Sequence, residues 1–172
     1  RRLTVDVVSR LELPAVLDAG ALGCVPHLSE HAPSVRIITP HAGEMAKLLD
    51  CKREEVEADP AAAGREAASR YRCIVVMKGA QTQIVEPGGT AYLFTGGTVG
   101  LATSGSGDTL AGVTVALLAR GTPPVWAAIW GVFLHGEAGT RLFRRYGGIG
   151  FLAREIPGEV PRIMAEFAPA AD

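Results

Sequence analysis

The stretch Thr103-Ser104-Gly105-Ser106-Gly107-Asp108-Thr109-Leu110-Ala111-Gly112 combines groups that can hold an anion with one that can move a proton. Glycines lack a Cβ, so several backbone N–H groups can converge on one ligand. The apolar run Val113 to Leu118 that follows predicts a helix, whose N-terminus adds positive partial charge. Together these make an anion site, most often a phosphate site. A carboxylate repels phosphate. Asp108 therefore points to proton abstraction or metal binding beside the phosphate. The same residues are also compatible with a tight loop in which Asp108 merely caps a helix.

Two further segments carry candidate chemistry. Ile37-Ile38-Thr39-Pro40-His41-Ala42-Gly43-Glu44 reads as a strand ending in a polar turn that opens a helix. Carboxyl ends of parallel strands are where α/β sheets bind ligands, which places Thr39, His41 and Glu44 well. The plainer alternative has Thr39 and Glu44 capping the helix and His41 on the surface. Met77-Lys78-Gly79-Ala80-Gln81-Thr82 is a strand end, a lysine, a glycine turn and a hydroxyl. Lys78 could meet a nucleotide phosphate as a point charge, with adenine or ribose against the turn amides. The alternative is a hairpin corner with a solvated lysine. His135 lies among apolar and small residues and reads as a satisfied core histidine. His27 and His31 are four apart but lack the glutamate and third ligand of a zinc helix, so they read as surface residues.

These segments need a scaffold that alternates strands and helices. Strands are predicted over 15–18, 35–39 and 73–78, the last almost continuously apolar, as in a parallel sheet covered on both faces. Residues 83–85 and 91–94 flank Glu86-Pro87-Gly88-Gly89 as a hairpin. Helices are predicted over 43–50, 60–71 with Asp59 as N-cap, 108–120, and from 123 to about 143. Trp126, Trp130 and Phe133 recur at helical spacing and read as core. Arg144 and Arg145 would complement that helix's dipole. In 156–167, Pro157 and Pro161 are expected to confine any helix to the part after them. The alternation argues for an α/β layered fold.

Composition removes several function classes. With 172 residues, 48% of them hydrophobic, the chain can bury a real core and is most simply one domain over 1–172. A net charge of −1 with no Lys/Arg cluster leaves no electrostatic footprint for nucleic acid. No apolar run reaches membrane-spanning length. Three cysteines without a C-x-x-C pair suggest free thiols in a reducing cytoplasm. No lysine follows a glycine at Walker spacing, which removes a P-loop. Leu110 stands where a dinucleotide fingerprint needs its third glycine, and neither Ser104 nor Ser106 is framed as a nucleophile elbow.

Taken in order, the segments resemble the ADP/ATP-dependent NAD(P)H-hydrate dehydratases of the ribokinase-like superfamily. Family patterns D-A-D-A-L, L-T-P-H-P-G-E and K-G-A-x-T stand here as Asp18-Ala19-Gly20-Ala21-Leu22, Ile38-Thr39-Pro40-His41-Ala42-Gly43-Glu44 and Lys78-Gly79-Ala80-Gln81-Thr82. The glycine-rich pattern and its following helix stand as Gly97 to Gly112 and Phe133-Leu134-His135-Gly136-Glu137-Ala138-Gly139. The likeness runs from Leu13 to about Ile156. The resemblance implies a ribokinase-like three-layer α/β/α fold with a mostly parallel central sheet. It also implies that the family's N-terminal portion, a strand–loop preceding Arg1, is lacking. Gly20 replaces the family's second aspartate, and Thr98 its asparagine before the glycine-rich loop.

The implied reaction repairs NADH or NADPH hydrated at C6. The hydroxyl accepts a phosphoryl group from ADP or ATP, and phosphate elimination restores the ring double bond. By resemblance, Asp108 is the general base, and the amides of Gly105, Ser106 and Gly107 form the anion hole. His41 and Glu44 join Asp108 at the substrate, while Lys78, Gly79, Ala80, Gln81 and Thr82, with Gly107, hold the nucleotide. Mg²⁺ is implied, with no ligand set readable. The resemblance is compatible with a homo-oligomer and with an epimerase domain in a longer protein. Other readings are a ribokinase-like thiazole, pyrimidine or sugar kinase and a non-catalytic nucleotide-binding remnant.

Overall fold

Short, largely apolar strands explain the architecture of the computed structural model, which describes residues 2–28 and 34–168. β1 (Ala15–Leu17), β2 (Arg36–Ile38) and β3 (Ile74–Met77) pair in parallel. β4 (Thr82–Val85) and β5 (Ala91–Phe94) add two antiparallel pairings, giving the order β1-β2-β3-β4-β5. Among the described residues only β4 runs against the others. The expected hairpin is present, and it makes the pairings mixed.

Successive strand residues point to opposite faces, and here both faces are covered. Ile38, Val75, Met77 and Val85 pack under α1 (Arg2–Ser9), α2 (Ala42–Leu49), α3 (Arg53–Ala58), α4 (Pro60–Tyr71) and the 3₁₀ stretch Ala19–His27. Ile37, Ile74, Val76 and Ile84 meet Leu110 of α5 (Ser106–Ala119) and Ala128 and Val132 of α6 (Pro124–Tyr146). α7 (Ile156–Glu166) packs on α5 and α6 through Ile156 and Ile163. The predicted three-layer α/β/α arrangement results.

Local signals hold where the backbone has few options. Pro60 opens α4, and Asp59 accepts a hydrogen bond from the Ala62 amide at 2.9 Å. Two expectations need correction. α7 starts at Ile156 and contains both Pro157 and Pro161. Pro157 falls where amides need no helical partner, and the complete burial of Ile156 and Ile163 outweighs the missing Pro161 donor. Trp126 is half exposed, because the buried face of α6 runs through Ala127, Ala128 and Leu134. Trp130 and Phe133 instead join Phe94 and Phe167 in edge-to-face contacts, with centroids 5.4–6.4 Å apart. Arg145 pairs at 2.7 Å with the buried carboxylate of Glu159 on α7, so it ties two helices together besides facing a dipole.

α6 approaches its neighbours closely because it carries glycines at the contact points. A methyl group at Gly131 would collide with Thr114 Oγ1 and lie 3.4 Å from the Thr114 backbone on α5. Gly131→Val should therefore cost about 3 kcal/mol and lower the melting temperature by roughly 6–12 °C, as read by calorimetry. An unchanged melt would show that the two helices have slack. Among the described residues no helix is long and apolar enough to cross a membrane.

Candidate functional site

β1, β2 and β3 run in the same direction, so the residues following them share one edge of the sheet. Asp18 follows β1, Thr39 to His41 follow β2, and Lys78 follows β3. The Lys78 amide donates to the Pro40 carbonyl at 2.8 Å, and His41 and Lys78 form an isolated parallel bridge. Lys78 Nζ donates to Asp18 Oδ1 at 2.9 Å and lies 3.8 Å from Glu44 Oε2. A methyl group at Gly107 would stand 3.4 Å from Lys78 Nζ and 3.5 Å from Asp18 Oδ2. One ammonium thus sits between two carboxylates, directly beneath the glycine-rich turn.

The carboxyl group of Asp18 is pulled in two directions. Burial pushes its pKa up, but the bonds from Lys78 and Thr39 and the charge of Lys78 hold it below the usual carboxylate value. Sequence reasoning missed Asp18 as a site residue. Its position at the carboxyl end of a parallel strand was the available signal, because that rule applies to β1 as it does to β2.

His41 and Glu44 are joined in a capping box. His41 Nδ1 accepts from the amides of Gly43 (3.0 Å) and Glu44 (3.3 Å), while Glu44 Oε2 accepts from the His41 amide at 2.9 Å. Of the capping alternative, Glu44 takes its expected part, but His41 and not Thr39 is the N-cap. This leaves 60% of the His41 side chain exposed at the site's rim. Glu44 also faces Lys78, so it serves the cap and the cluster together. Thr39 is buried, and its amide donates to the Leu17 carbonyl at 3.2 Å.

The glycine-rich turn behaves as its composition demands. Gly105 has φ +84°, a conformation that favours glycine, and it precedes α5. The helix begins at Ser106, two residues earlier than predicted, so Asp108 lies inside the first turn and its side chain is exposed. Ser106 is buried; its Oγ and carbonyl lie 2.9 and 3.0 Å from His135 Nε2. His135 is the satisfied core histidine expected, and the partner that satisfies it belongs to the anion turn. Gly79, Ala80 and Gln81 form an exposed turn leading to Thr82, the first residue of β4. Among the described residues of that segment, Lys78 joins the charged cluster.

Burial pushes the His135 imidazole down to about 4 from an ordinary 6.5, and the charge of Lys78 acts the same way, against the pull of the Ser106 carbonyl. The unfolded chain therefore takes up this proton at higher pH than the folded one. The associated stability is complete above about 6.5 and is lost as pH falls towards about 4. His135→Gln should flatten the decline of melting temperature across that window. Parallel slopes for the two proteins would contradict this.

Two positions depart from the family patterns, and one of them, Gly20, borders the site. A side chain at Gly20 would meet nothing within 4 Å. Gly20 lines a cavity of about 620 Å³ together with Ala19, Cys24, Glu44, Lys47 and Leu48. Thr98 precedes the 3₁₀ stretch Val99–Ala102, and its buried Oγ1 makes no hydrogen bond in the structure. Among the described residues no group of three or more His, Cys, Asp or Glu could hold a metal ion. His27 is exposed on its 3₁₀ stretch, and His31 lies outside the described residues.

Comparisons with known proteins find relatives over most of the chain. The profile of the NAD(P)H-hydrate dehydratase family matches residues 3–162. An ADP-dependent (S)-NAD(P)H-hydrate dehydratase of Xanthomonas campestris pv. campestris is 48% identical over 87% of this chain and 51% of its own length. A bifunctional NAD(P)H-hydrate repair enzyme of Escherichia coli is 34% identical over 91% of this chain and 30% of its own. A crystal structure of the ADP/ATP-dependent NAD(P)H-hydrate dehydratase of Bacillus subtilis, co-crystallised with ATP/Mg²⁺, superposes with a TM-score of 0.84 at 31% identity. It covers 95% of this chain and 58% of that one. The chain thus spans about half the length of the Xanthomonas relative and under a third of the Escherichia coli one.

Proposed function

The chain belongs to the NAD(P)H-hydrate dehydratase family, and on that premise we propose that it takes part in the nucleotide-dependent dehydration of hydrated NADH and NADPH. The observation that carries the proposal is the meeting of Gly107, Lys78, Asp18 and Glu44 at one sheet edge, with the exposed carboxylate of Asp108 beside them. Hydroxide is a poor leaving group and phosphate a good one. A phosphoryl-transfer site is therefore a sound starting point for a dehydratase.

In this reading Asp108 accepts the proton of the C6 hydroxyl as its oxygen attacks the terminal phosphorus of ADP or ATP. The bond from that phosphorus to the bridging oxygen breaks, and its electron pair leaves with AMP or ADP. The amides of Gly105, Ser106 and Gly107 stabilise charge on the transferring group. Phosphate then leaves C6 with its bonding electrons, and loss of the neighbouring ring proton restores the double bond. Lys78 binds nucleotide phosphate as a point charge, with the exposed Gly79 to Thr82 turn against ribose and base. His41 and Glu44 border the hydrated dinucleotide.

Mg²⁺ characteristically uses one or two carboxylates together with substrate phosphates. Asp18 and Glu44 fit that requirement, since both present oxygens to the space around Lys78. They would hold the ion, which neutralises phosphate charge when bound. The free thiols Cys24, Cys51 and Cys73 suit a cytoplasmic setting.

The test is an absorbance assay with hydrated NADPH and either ADP or ATP, on this chain and on one extended at its N-terminus. The expected result is nucleotide-dependent recovery of reduced nicotinamide absorbance with release of phosphate. A stable phosphorylated product without that recovery would make the chain a kinase. Nucleotide binding without any turnover in both chains would make it a binding remnant.

A further inference from the structure

His135 is buried on α6, 29 residues from its partner in the chain, yet it reaches the first residue of α5. Its Nε2 lies 3.0 Å from the Ser106 carbonyl oxygen and 2.9 Å from Ser106 Oγ. With the proton on Nε2, the ring donates to both. Close approach of α6 allows this reach: a methyl group at Gly131 would strike Thr114 of α5, and one at Gly139 would lie 2.6 Å from Leu101.

The Ser106 carbonyl and the Gly107 N–H belong to a single planar trans peptide, so they point in opposite directions. Ser106 opens α5, so the helix already directs its carbonyl inward along the axis, and the bond from His135 adds to that hold and keeps the Gly107 N–H turned out of the helix N-terminus. A methyl group at Gly107 would lie 3.4 Å from Lys78 Nζ and 3.5 Å from Asp18 Oδ2, so the charged cluster stands close to this residue. We propose that His135 is a positioning residue of the anion site, fixing the Ser106–Gly107 peptide so that the Gly107 amide faces the phosphoryl group in transit. This rests on the phosphoryl-transfer reading above. His135 touches neither nucleotide nor dinucleotide in it, and acts through Ser106. A neutral ring suits the task, because it leaves Lys78 as the nearby cation.

The test compares His135→Phe, His135→Leu and His135→Gln with the unaltered chain, well below each melting temperature. Phe and Leu remove the donor and differ in volume, so at least one should remain folded. Gln can donate to the same carbonyl. With hydrated NADPH and ADP or ATP, a folded apolar variant should lose about tenfold or more in kcat, while KM for the nucleotide stays within about threefold. Gln should recover kcat to within about threefold of the unaltered chain. ADP titrations by calorimetry supply a readout independent of turnover. Equal kcat in unaltered and apolar variants would overturn the proposal, as would a Gln variant no better than the apolar ones. If the unaltered chain neither binds ADP nor turns over, the phosphoryl-transfer reading fails and takes this one with it. If the chain is active and the apolar variants match it, only the positioning role fails.

Discussion

Asp108→Asn is expected to lower kcat by about 10²–10⁴-fold while nucleotide binding persists. The substitution keeps the shape of the side chain and removes its negative charge and its capacity to accept a proton. Asp108 is exposed in the first turn of α5, so the variant should fold normally. Losing a carboxylate at a helix N-terminus costs about 0.3–1 kcal/mol, too little to unfold a domain of this size. Rate and affinity therefore separate cleanly here. Calorimetric titration with ADP or ATP alongside the absorbance assay would show the separation. If affinity collapses together with turnover, Asp108 builds the turn and another group takes the proton.

Lys78→Met should be the other severe change, and for a different reason. The ammonium lies 2.9 Å from Asp18 Oδ1 and 3.8 Å from Glu44 Oε2, and the Asp18 side chain is only 13% exposed. Without it two carboxylates face each other where nucleotide phosphate is proposed to bind. We expect kcat/KM for the nucleotide to fall by about 10²-fold or more. Arginine should restore little, since its fork cannot take the place of a compact ammonium between two carboxylates. Retention of full kcat/KM in Lys78→Met would place the nucleotide elsewhere.

The same substitution changes the response to acid. In the unaltered chain the folded Asp18 titrates below 3.8, its unfolded value. The stability it adds is therefore present above that value and is lost as pH falls through the folded one. In Lys78→Met burial is opposed only by the bonds from Thr39 and the Ala19 amide, so the contribution of Asp18 shrinks. Melting curves across the acidic range should show a shallower loss on acidification in the variant, and parallel curves would mean that Lys78 does not control Asp18.

Much of this was visible in short windows of sequence. Asp59 and Pro60 opened a helix where expected, and the two flanks of Glu86-Pro87-Gly88-Gly89 paired as a hairpin. In both cases neighbouring residues set the backbone directly. The limits of such windows are equally specific. Pro161 lacks the amide that a helix interior needs, yet burial of Ile156 and Ile163 against α5 and α6 carries α7 through it. Trp126 matched the helical spacing of a core residue, but the partners that decide which face is buried lie on other elements. α3 spans only six residues, too few for periodicity to register.

The candidate site divides along the same line. Positive φ at Gly105, a helix starting beside it and a carboxylate in its first turn follow from consecutive residues, since the missing Cβ and local hydrogen bonding act over a few bonds. Asp18, Glu44, Lys78 and Gly107 meet for another reason: parallel pairing of β1, β2 and β3 brings three distant chain segments to one edge. His135 likewise reaches Ser106 only because glycines let α6 lie close against its neighbours. Local chemistry made the turn an anion binder, and long-range packing supplied the charges around it and the histidine that holds its peptide.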